Sequence, residues 1–137
     1  MRVLLDTNVI LDVAARRPGL FEGSNRALEK CERESHEMLV AWHTLSNLFY
    51  ILRRVDGAEK TLGFLRHLLS ISTVAPVGHA DALRAIEYGL NDFEDALQRS
   101  AAEGCRADAI LTRNKADFGN PPAIALLTPE EFAPPTS

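Results

Sequence analysis

Four aspartates at three separated places in the chain are the residues best suited to chemistry: Asp6, Asp92, Asp95 and Asp117. Carboxylates that are brought together raise one another's pKa values unless a cation neutralises them. Carboxylate oxygens without His or Cys partners favour Mg²⁺ or Mn²⁺ over zinc. If these side chains converge, the sequence predicts a site for a hard divalent cation. Such a cation activates water and offsets charge on phosphoryl oxygens, which is what phosphodiester hydrolysis needs.

Each aspartate also has a purely structural interpretation. Asp6 could cap the helix that follows it, and Asp117 could be a turn residue. For Asp92 we favour capping of the helix that it opens, while keeping it among the candidate metal ligands. Asp95 lies inside that predicted helix, where its like-charged neighbour Asp92 disfavours it. The joint pattern, rather than any single acid, therefore indicates a metal site.

Short apolar runs alternate with amphipathic segments along the chain. The predicted strands are Val3–Leu5, Met38–Ala41, Thr73–Val77, Ala109–Leu111 and Ile124–Leu127. The alternation of strands with helices predicts an α/β layer fold with a mostly parallel sheet. Ligands of such sheets bind beyond the carboxyl ends of the strands. Because Asp6 and the loop Thr112-Arg113-Asn114 both follow strands, we expect them to share one crevice.

The helix after the second strand is expected to bury an apolar stripe at helical spacing, formed by Trp42, Leu45, Phe49 and Leu52. Asn47, Tyr50 and Arg54 share a different face of this helix. Arg113 and Arg54 are candidates for a phosphate-binding rim, with ordinary solvated charge as the alternative for each. We favour Arg113 because of its loop.

Composition restricts the remaining possibilities. The chain has 137 residues, of which 46% are hydrophobic, and its net charge is −4. One globular domain is expected over residues 1–132, with a frayed, proline-rich tail over 133–137. A polyanion could be bound only through a local basic patch. No glycine-rich phosphate loop is present, which argues against kinase and dehydrogenase functions.

Cysteine, histidine and the chain start suggest no other class of site. Cys31 and Cys105 lack metal-ligand spacing and are expected to be buried, reduced thiols. The four histidines show no paired spacing, so a zinc site is not expected and we interpret them as surface or helix-end residues. Asp6 would interrupt the apolar region of a signal peptide, and no apolar run approaches membrane-spanning length. We expect a soluble cytoplasmic protein with no membrane association.

Three ordered motifs resemble the PIN domain family: Leu4–Asp12, Asp92–Leu97 and Leu111–Phe118. The closing Leu127–Phe132 is similar to the end of one bacterial subgroup. The resemblance covers nearly the whole chain and implies a three-layer α/β/α sandwich with a central, mostly parallel sheet of four to five strands. It also implies a metal-dependent ribonuclease site at the carboxyl edge of the sheet.

The resemblance further implies particular residue roles. Asp6, Asp95 and Asp117 match the family's catalytic, metal-holding acids, and Asp92 is a further candidate ligand. Supporting roles fall to Thr7, Asn8, Asn47, Thr112 and Asn114, and contacts with RNA phosphate to Arg113 and Arg54. The small bacterial members are mostly toxins of VapC type, held inactive by an antitoxin and commonly dimeric. The expected partners are therefore RNA, a cognate antitoxin and a second copy of the chain, with Mg²⁺ or Mn²⁺ as cofactor.

Two positions depart from the family pattern. Asn47 stands where the family usually has a glutamate, and Asn114 where an aspartate is common. Relatives with Thr-Arg-Asn at the second position carry the acid where this chain has Asp117. The neutral Asn47 should weaken metal affinity, although its carbonyl can still act as a ligand.

Our leading hypothesis is a Mg²⁺- or Mn²⁺-dependent endoribonuclease that acts as the toxin of a type II toxin–antitoxin pair. The alternative is a catalytically degraded PIN-fold module that binds RNA or an antitoxin peptide without cleavage. A dehalogenase-like phosphatase would need an aspartate where this chain has Asn8, and we disfavour it.

Overall fold

The computed structural model describes residues 1–136. Its strands are β1 (Arg2–Leu5), β2 (Glu37–Val40), β3 (Thr73–Val74), β4 (Ala109–Leu111) and β5 (Ala125–Leu127). Its helices are α1 (Thr7–Ala14), α2 (Phe21–Arg33), α3 (Trp42–Ile71), α4 (His79–Glu87), α5 (Phe93–Gly104) and α6 (Pro129–Phe132), and a short 3-10 helix covers Lys115–Phe118.

The five strands form one sheet in the order β3-β2-β1-β4-β5, and every neighbouring pair is parallel. The predicted parallel α/β architecture is confirmed. From the central β1, the chain adds β2 and β3 on one side and later β4 and β5 on the other. The order therefore reverses between β1 and β4, and a crevice for ligands forms beyond the carboxyl ends of strands at such a reversal. Asp6 and Thr112 leave the sheet at this point.

Helices cover both faces of the sheet, which explains why its inner strands are apolar without alternation. One buried cluster joins α1, α2 and α3 to the sheet residues Val3, Leu5, Val40 and Leu111. The other joins α5 to Leu4, Leu39 and Ile110. Successive side chains of a strand point to opposite faces, so each strand contributes to both clusters. The result is the expected α/β/α sandwich.

Helix α3 differs from the prediction at its start, and it is interrupted in its middle. At Gly57 the backbone has φ 82° and ψ 163°, so the segment consists of two helical parts joined at this residue. Glycine adopts this positive φ without the steric cost of a Cβ. The sequence predicts that Trp42 is buried, but the structure leaves it 70% exposed. Trp42 opens the helix at the carboxyl edge of the sheet, ahead of Leu48 and Leu52, which lie in the core.

The end of the chain packs against α2. Lys30 Nζ donates a hydrogen bond to the carbonyl of Phe132 (2.7 Å), and Arg26 Nε donates to that of Ala133 (3.3 Å). Ala133, the first residue of the predicted frayed tail, is buried. Ser137, the last residue of that tail, lies outside the described residues. The division into one domain and a tail stays a prediction.

Cys31 and Cys105 are buried and unpaired, as predicted. Within residues 1–136, no helix combines the length and apolar character needed to cross a bilayer.

Candidate functional site

Asp6 directly follows β1, and it is almost completely buried, at 1% exposure. It occupies the N-cap position of α1, but its side chain makes no capping hydrogen bond. Instead, Oδ2 accepts a hydrogen bond from Thr112 Oγ1 (2.8 Å), and Oδ1 accepts one from Gln98 Nε2 (3.0 Å). The capping interpretation of Asp6 is therefore wrong. Residues after β4 and on α5 hold this carboxylate at the sheet edge.

Gln98 connects the two buried aspartates of the cluster. Its Nε2 lies 3.0 Å from Asp6 Oδ1 and 3.4 Å from Asp95 Oδ1, so one amide group stands between two carboxylates. The side chain of Gln98 is fully buried, and its Oε1 has no hydrogen-bond partner among residues 1–136. Sequence reasoning missed this residue, although one signal was present. Gln98 follows Asp95 by three positions, which places both on one face of α5.

The structure places Asp6, Asp92 and Asp117 close enough to Asp95 for their charges to act on it. Burial, followed by the negative charges of Asp6, Asp92 and Asp117, raises the pKa of Asp95 to about 7. Glu94 adds a smaller effect in the same direction. A carboxyl group with such a pKa is partly protonated at neutral pH, because burial and the neighbouring carboxylates both disfavour its charged form.

Asp92 and Asp117 lie at the outer side of the cluster. Asp92 caps α5 as we favoured, since its Oδ1 accepts a hydrogen bond from the backbone N–H of Asp95 (3.1 Å). Asp117 is exposed on the 3-10 helix. Together with Gly89 and Asn91, these two acids line an open cavity of about 150 Å³. The exposed oxygens of the cluster therefore face a space that can admit a ligand.

The donor set fits a hard divalent cation in kind. Carboxylates, the Gln98 amide and the Thr112 hydroxyl converge here. The raised pKa of Asp95 reflects its burial and the neighbouring negative charge, and a hard cation would offset that charge. Over residues 1–136, however, no group of three or more His, Cys, Asp or Glu side chains is arranged to hold a metal ion. In the structure, the two carboxylates of Asp6 and Asp95 instead face the N–H hydrogens of the Gln98 amide.

The predicted supporting residues occupy two different environments. Thr7 is buried and its hydroxyl shares a hydrogen bond with that of Thr44 (2.9 Å), which ties α1 to α3. Thr112 Oγ1 also accepts from the backbone N–H of Asn114 (3.0 Å), so it orders the turn that holds Asp6. Asn8 and Asn114 have exposed side chains, and Asn8 Oδ1 accepts from Arg17 Nη1 (3.3 Å). Thr7 and Thr112 thus build the scaffold of the crevice.

His43 is a second residue that sequence reasoning missed. It lies in the first turn of α3, as the helix-end interpretation predicts, but its Nε2 is buried and, within residues 1–136, has no hydrogen-bond partner. Burial lowers the pKa of His43, while Glu94 and Asp6 act in the opposite direction. The ring therefore lies beside the acidic cluster. Its position shortly after β2, at the edge where Asp6 follows β1, was the available signal.

Arg113 requires a correction. Its Nε donates to Asp12 Oδ2 (2.8 Å), its Nη1 to Glu130 Oε1 (2.6 Å), and its Nη2 to Leu20 O, Ser24 Oγ and Glu130 Oε2 (3.1 Å each). All three guanidinium nitrogens are thus used inside the protein, where the buried Asp12 needs a cation. The expected contact of Arg113 with phosphate is therefore wrong. Arg54 is exposed on α3, one face of which also carries the half-buried Asn47.

The raised pKa of Asp95 predicts a pH-dependent stability of the metal-free protein. Its folded-state pKa of about 7 exceeds the unfolded value of about 3.9, so the folded state binds more protons between these values. The free energy of unfolding contributed by this group should therefore fall as pH rises from about 4 to about 7. Urea unfolding in the presence of a chelator, compared with Asp95→Asn, measures that contribution. Identical pH profiles for the two proteins would contradict it.

Gln98 predicts a specific effect on cation affinity. We expect Gln98→Met to weaken Mn²⁺ binding by about ten- to a hundredfold, because the amide that orients both carboxylates is lost. Stability should change little, since the variant also removes the unpartnered Oε1. Isothermal titration calorimetry gives the affinity. Thr61→Val, which also replaces a buried polar side chain by an apolar one but lies on α3, is the matched control. Equal Mn²⁺ affinity of the wild-type protein, Gln98→Met and Thr61→Val would exclude a role of Gln98 in cation binding.

The model of the PIN domain family matches residues 2–116. The VapBC2 structure from Rickettsia felis, bound to a DNA fragment from its promoter, has 20% identity and a TM-score of 0.72, covering 93% of this chain and 98% of that one. DNA-bound VapBC from Salmonella typhimurium has 18% identity and a TM-score of 0.68, covering 94% and 98%. VapBC-1 from nontypeable Haemophilus influenzae has 15% identity and a TM-score of 0.73, covering 94% and 98%. No curated protein matches the chain. At these identities the solved structures show a shared fold.

Proposed function

Because the chain belongs to the PIN domain family, we propose that it is a divalent-cation-dependent endoribonuclease and the toxin of a type II toxin–antitoxin pair. The observation that carries this proposal is the convergence of two buried carboxylates, Asp6 and Asp95, on one amide at the reversal of strand order. Their burial has a cost, because unpaired buried carboxylates are unfavourable without a cation. That cost is expected at a site built for a ligand.

Asp6 and Asp95 would hold Mg²⁺ or Mn²⁺, with Asp117 and Asp92 as the outer acids. When bound, the cation lowers the pKa of water and offsets charge on the phosphoryl oxygens. Thr112 and Gln98 hold the Asp6 carboxylate in place. Asn47 would orient water or a ligand through its amide.

Arg54 is the remaining candidate for contact with RNA phosphate. Its guanidinium is exposed on α3, the helix that begins at the crevice. Phosphate contacts of this kind position a nucleic acid without reading its sequence. Since the net charge of the chain is −4, binding must depend on local cations together with the bound metal ion.

An antitoxin partner is part of the proposal. An acidic crevice favours an Arg- or Lys-bearing peptide, and a peptide seated there would also block the substrate. The similar solved structures are VapBC assemblies, two of them with DNA. A homodimer is proposed as well, supported by the exposed apolar side chains of Tyr50, Ile51 and Val55 on α3. We place this protein in the cytoplasm, where its RNA substrate would be.

A second candidate function is a module of this fold that binds RNA or an antitoxin peptide without cleavage. The specific observation in its favour is the neutral Asn47 in place of an acid. With this amide, residues 1–136 contain no ready-made group of three metal-holding side chains. Both functions use the same crevice, and they differ in whether a cation binds there.

A metal titration combined with an RNA cleavage assay distinguishes the two functions. Mn²⁺ is titrated by calorimetry into the wild-type protein and into Asp56→Asn, which changes an exposed acid on α3, outside the cluster. The same samples then receive a mixed RNA pool with and without chelator. Binding in both proteins with chelator-sensitive cleavage supports the nuclease. No binding up to millimolar metal, together with no cleavage, would reject it in favour of the binding module.

A further inference from the structure

The open cavity beside Asp92 and Asp117 has two walls that come from different parts of the chain. One wall is residues 89–92, between α4 and α5, and the other is residues 116–117 of the 3-10 helix. The two acids lie on opposite walls, so the separation of their carboxylates depends on how the walls are held. Carboxylates that share one ligand must be fixed to within about 0.5 Å of the productive geometry. A contact that joins the walls is therefore important to the site.

Arg99, on α5, contacts the chain next to both walls. Its Nη1 donates a hydrogen bond to the carbonyl of Phe118, the residue after Asp117 (3.1 Å). Its guanidinium carbon lies 4.0 Å from the centre of the Tyr88 ring, and Tyr88 directly precedes the wall over residues 89–92. A cation over the face of an aromatic ring is attracted by that ring. The side chain of Arg99 therefore connects the two walls.

Glu103 fixes the orientation of this arginine. Its Oε1 accepts a hydrogen bond from Arg99 Nε (3.1 Å), one turn earlier on the same helix, and its Oε2 accepts one from the hydroxyl of Tyr88. The side chains of Arg99 and Glu103 are only 13% and 18% exposed, so water competes little for this pair. The planar guanidinium presents its donors in a rigid fork. Arg99 can therefore bind Glu103 and the carbonyl of Phe118 at once.

The two walls also meet at Gly119, just after the 3-10 helix. Its φ of 66° is a conformation that favours glycine. A Cβ at this position would lie 2.9 Å from Arg99 Nη1 and 3.2 Å from Leu90 Cδ2, and both distances are shorter than ordinary contacts. The backbone that follows Asp117 thus packs tightly against Arg99 and against the opposite wall. The walls cannot approach each other here without displacing one of these side chains.

We propose that Arg99 is a positioning residue of the acidic cluster, which holds Asp117 at a fixed separation from Asp92 and Asp95. The proposal rests on the proposed function, because it takes a divalent cation as the ligand of these acids. Among residues 1–136, Arg99 makes no hydrogen bond to any of the four acids, and it acts through the backbone that carries Asp117. Its effect on a bound cation is therefore an effect of geometry.

The charge of Arg99 and its contacts predict opposite effects on cation affinity. Removing a positive charge near the acids would by itself favour the binding of a cation. Losing the contacts that fix Asp117 should instead weaken Mn²⁺ binding by about tenfold, the lower end of the effect of partners that orient metal ligands. A weaker affinity of Arg99→Ala would therefore report the position of the acids and not the charge of the arginine.

Isothermal titration calorimetry with Mn²⁺ tests this sign. Arg99→Lys should weaken binding by less than Arg99→Ala, because lysine keeps the charge beside Glu103 but lacks the fork of donors, and it serves if Arg99→Ala does not fold. Arg84→Ala is the matched control. Arg84 also lies beside Glu103, but the backbone carbonyl that it binds is that of Ser100 on α5, so its loss should not weaken binding. Wild-type affinity in both Arg99 variants would overturn the proposal.

Hydrogen exchange in the presence of a chelator tests the same contacts without a metal ion. The amides of Asp117 and Gly119 each donate a hydrogen bond to the carbonyl three residues earlier. Arg99→Ala should speed their exchange by about tenfold or more, while the amides of β1 exchange as in the wild type. Unchanged exchange at both amides, or equal acceleration over the whole chain, would overturn the positioning role. If the wild-type protein binds no Mn²⁺, the proposed function fails, and the exchange rates still decide whether Arg99 holds Asp117 in place.

Discussion

Replacing Asp95 by asparagine should abolish RNA cleavage while leaving the fold intact. The asparagine keeps the size of the side chain but removes one of the two buried carboxylates that would hold the cation. Loss of a cation that supplies several kcal/mol of transition-state stabilisation corresponds to about a 10³-fold or greater fall in rate. Stability should rise slightly in the absence of metal, because the charge that destabilises the cluster is gone.

Single-turnover cleavage of an RNA pool measures the effect on rate, and circular dichroism measures retention of the fold. Asp6→Asn should behave in the same way, since its carboxylate shares the Gln98 amide with Asp95. Asp56→Asn provides a charge-matched control outside the cluster and should cleave normally. Cleavage at the wild-type rate by both Asp6→Asn and Asp95→Asn would eliminate the proposed role of the acidic cluster.

Replacing Arg113 by alanine should produce the largest loss of stability of any single change considered. It leaves the Asp12 carboxylate, which is 1% exposed, without its closest cation. Removing one member of a buried ion pair costs about 3–5 kcal/mol, and Arg17 Nη1, which lies 3.5 Å from Asp12 Oδ1, should offset part of that cost. That is a large share of the roughly 5–15 kcal/mol that holds a domain of this size together. Urea unfolding followed by circular dichroism measures the difference.

Lys115→Ala is the matched control for this prediction. Lys115 also pairs with a carboxylate of α6, Glu131, but both side chains are more than 40% exposed. Exposed pairs contribute about 1 kcal/mol or less, so this variant should unfold close to the wild type. The double variant Asp12→Asn with Arg113→Ala should recover part of the loss, because no uncompensated charge remains. Equal losses for Arg113→Ala and Lys115→Ala would refute the structural role of Arg113.

The sequence predicted those features that depend on local pattern. Apolar runs alternating with amphipathic segments indicated the parallel sheet, and the position of Asp6 and Thr112 after strands indicated their convergence. Asp92 is a further example, since a capping aspartate is recognisable from its neighbours along the chain. Each of these inferences needs only the elements themselves and the edge of the sheet at which they end.

The features that the sequence did not predict depend on contacts between distant segments. Arg113 has the loop position expected of a ligand-binding residue, but its guanidinium is taken up by Asp12 and Glu130, which lie on α1 and α6. Gln98 gains its role only because α5 packs where its amide meets Asp6. Trp42 fits the apolar stripe of α3, yet it lies at the start of that helix, outside the part of α3 that packs against the core. The periodicity of a sequence indicates which residues lie on one face of a helix or strand. It does not indicate which residues of other segments that face will contact.

The ion pairs of α6 hold the loop that follows β4 in place. Glu130 forms an ion pair with Arg113, and Glu131 forms one with Lys115. The turn from Thr112 to Asp117 is therefore anchored by residues that come after it in the chain. These anchors fall beyond residue 116, where the match to the family model ends. An affinity tag or a truncation that disturbs Pro129–Phe132 would therefore loosen the loop that carries Asp117, although no acid of the cluster had been touched. Preparations meant for activity measurements are better tagged at the opposite terminus.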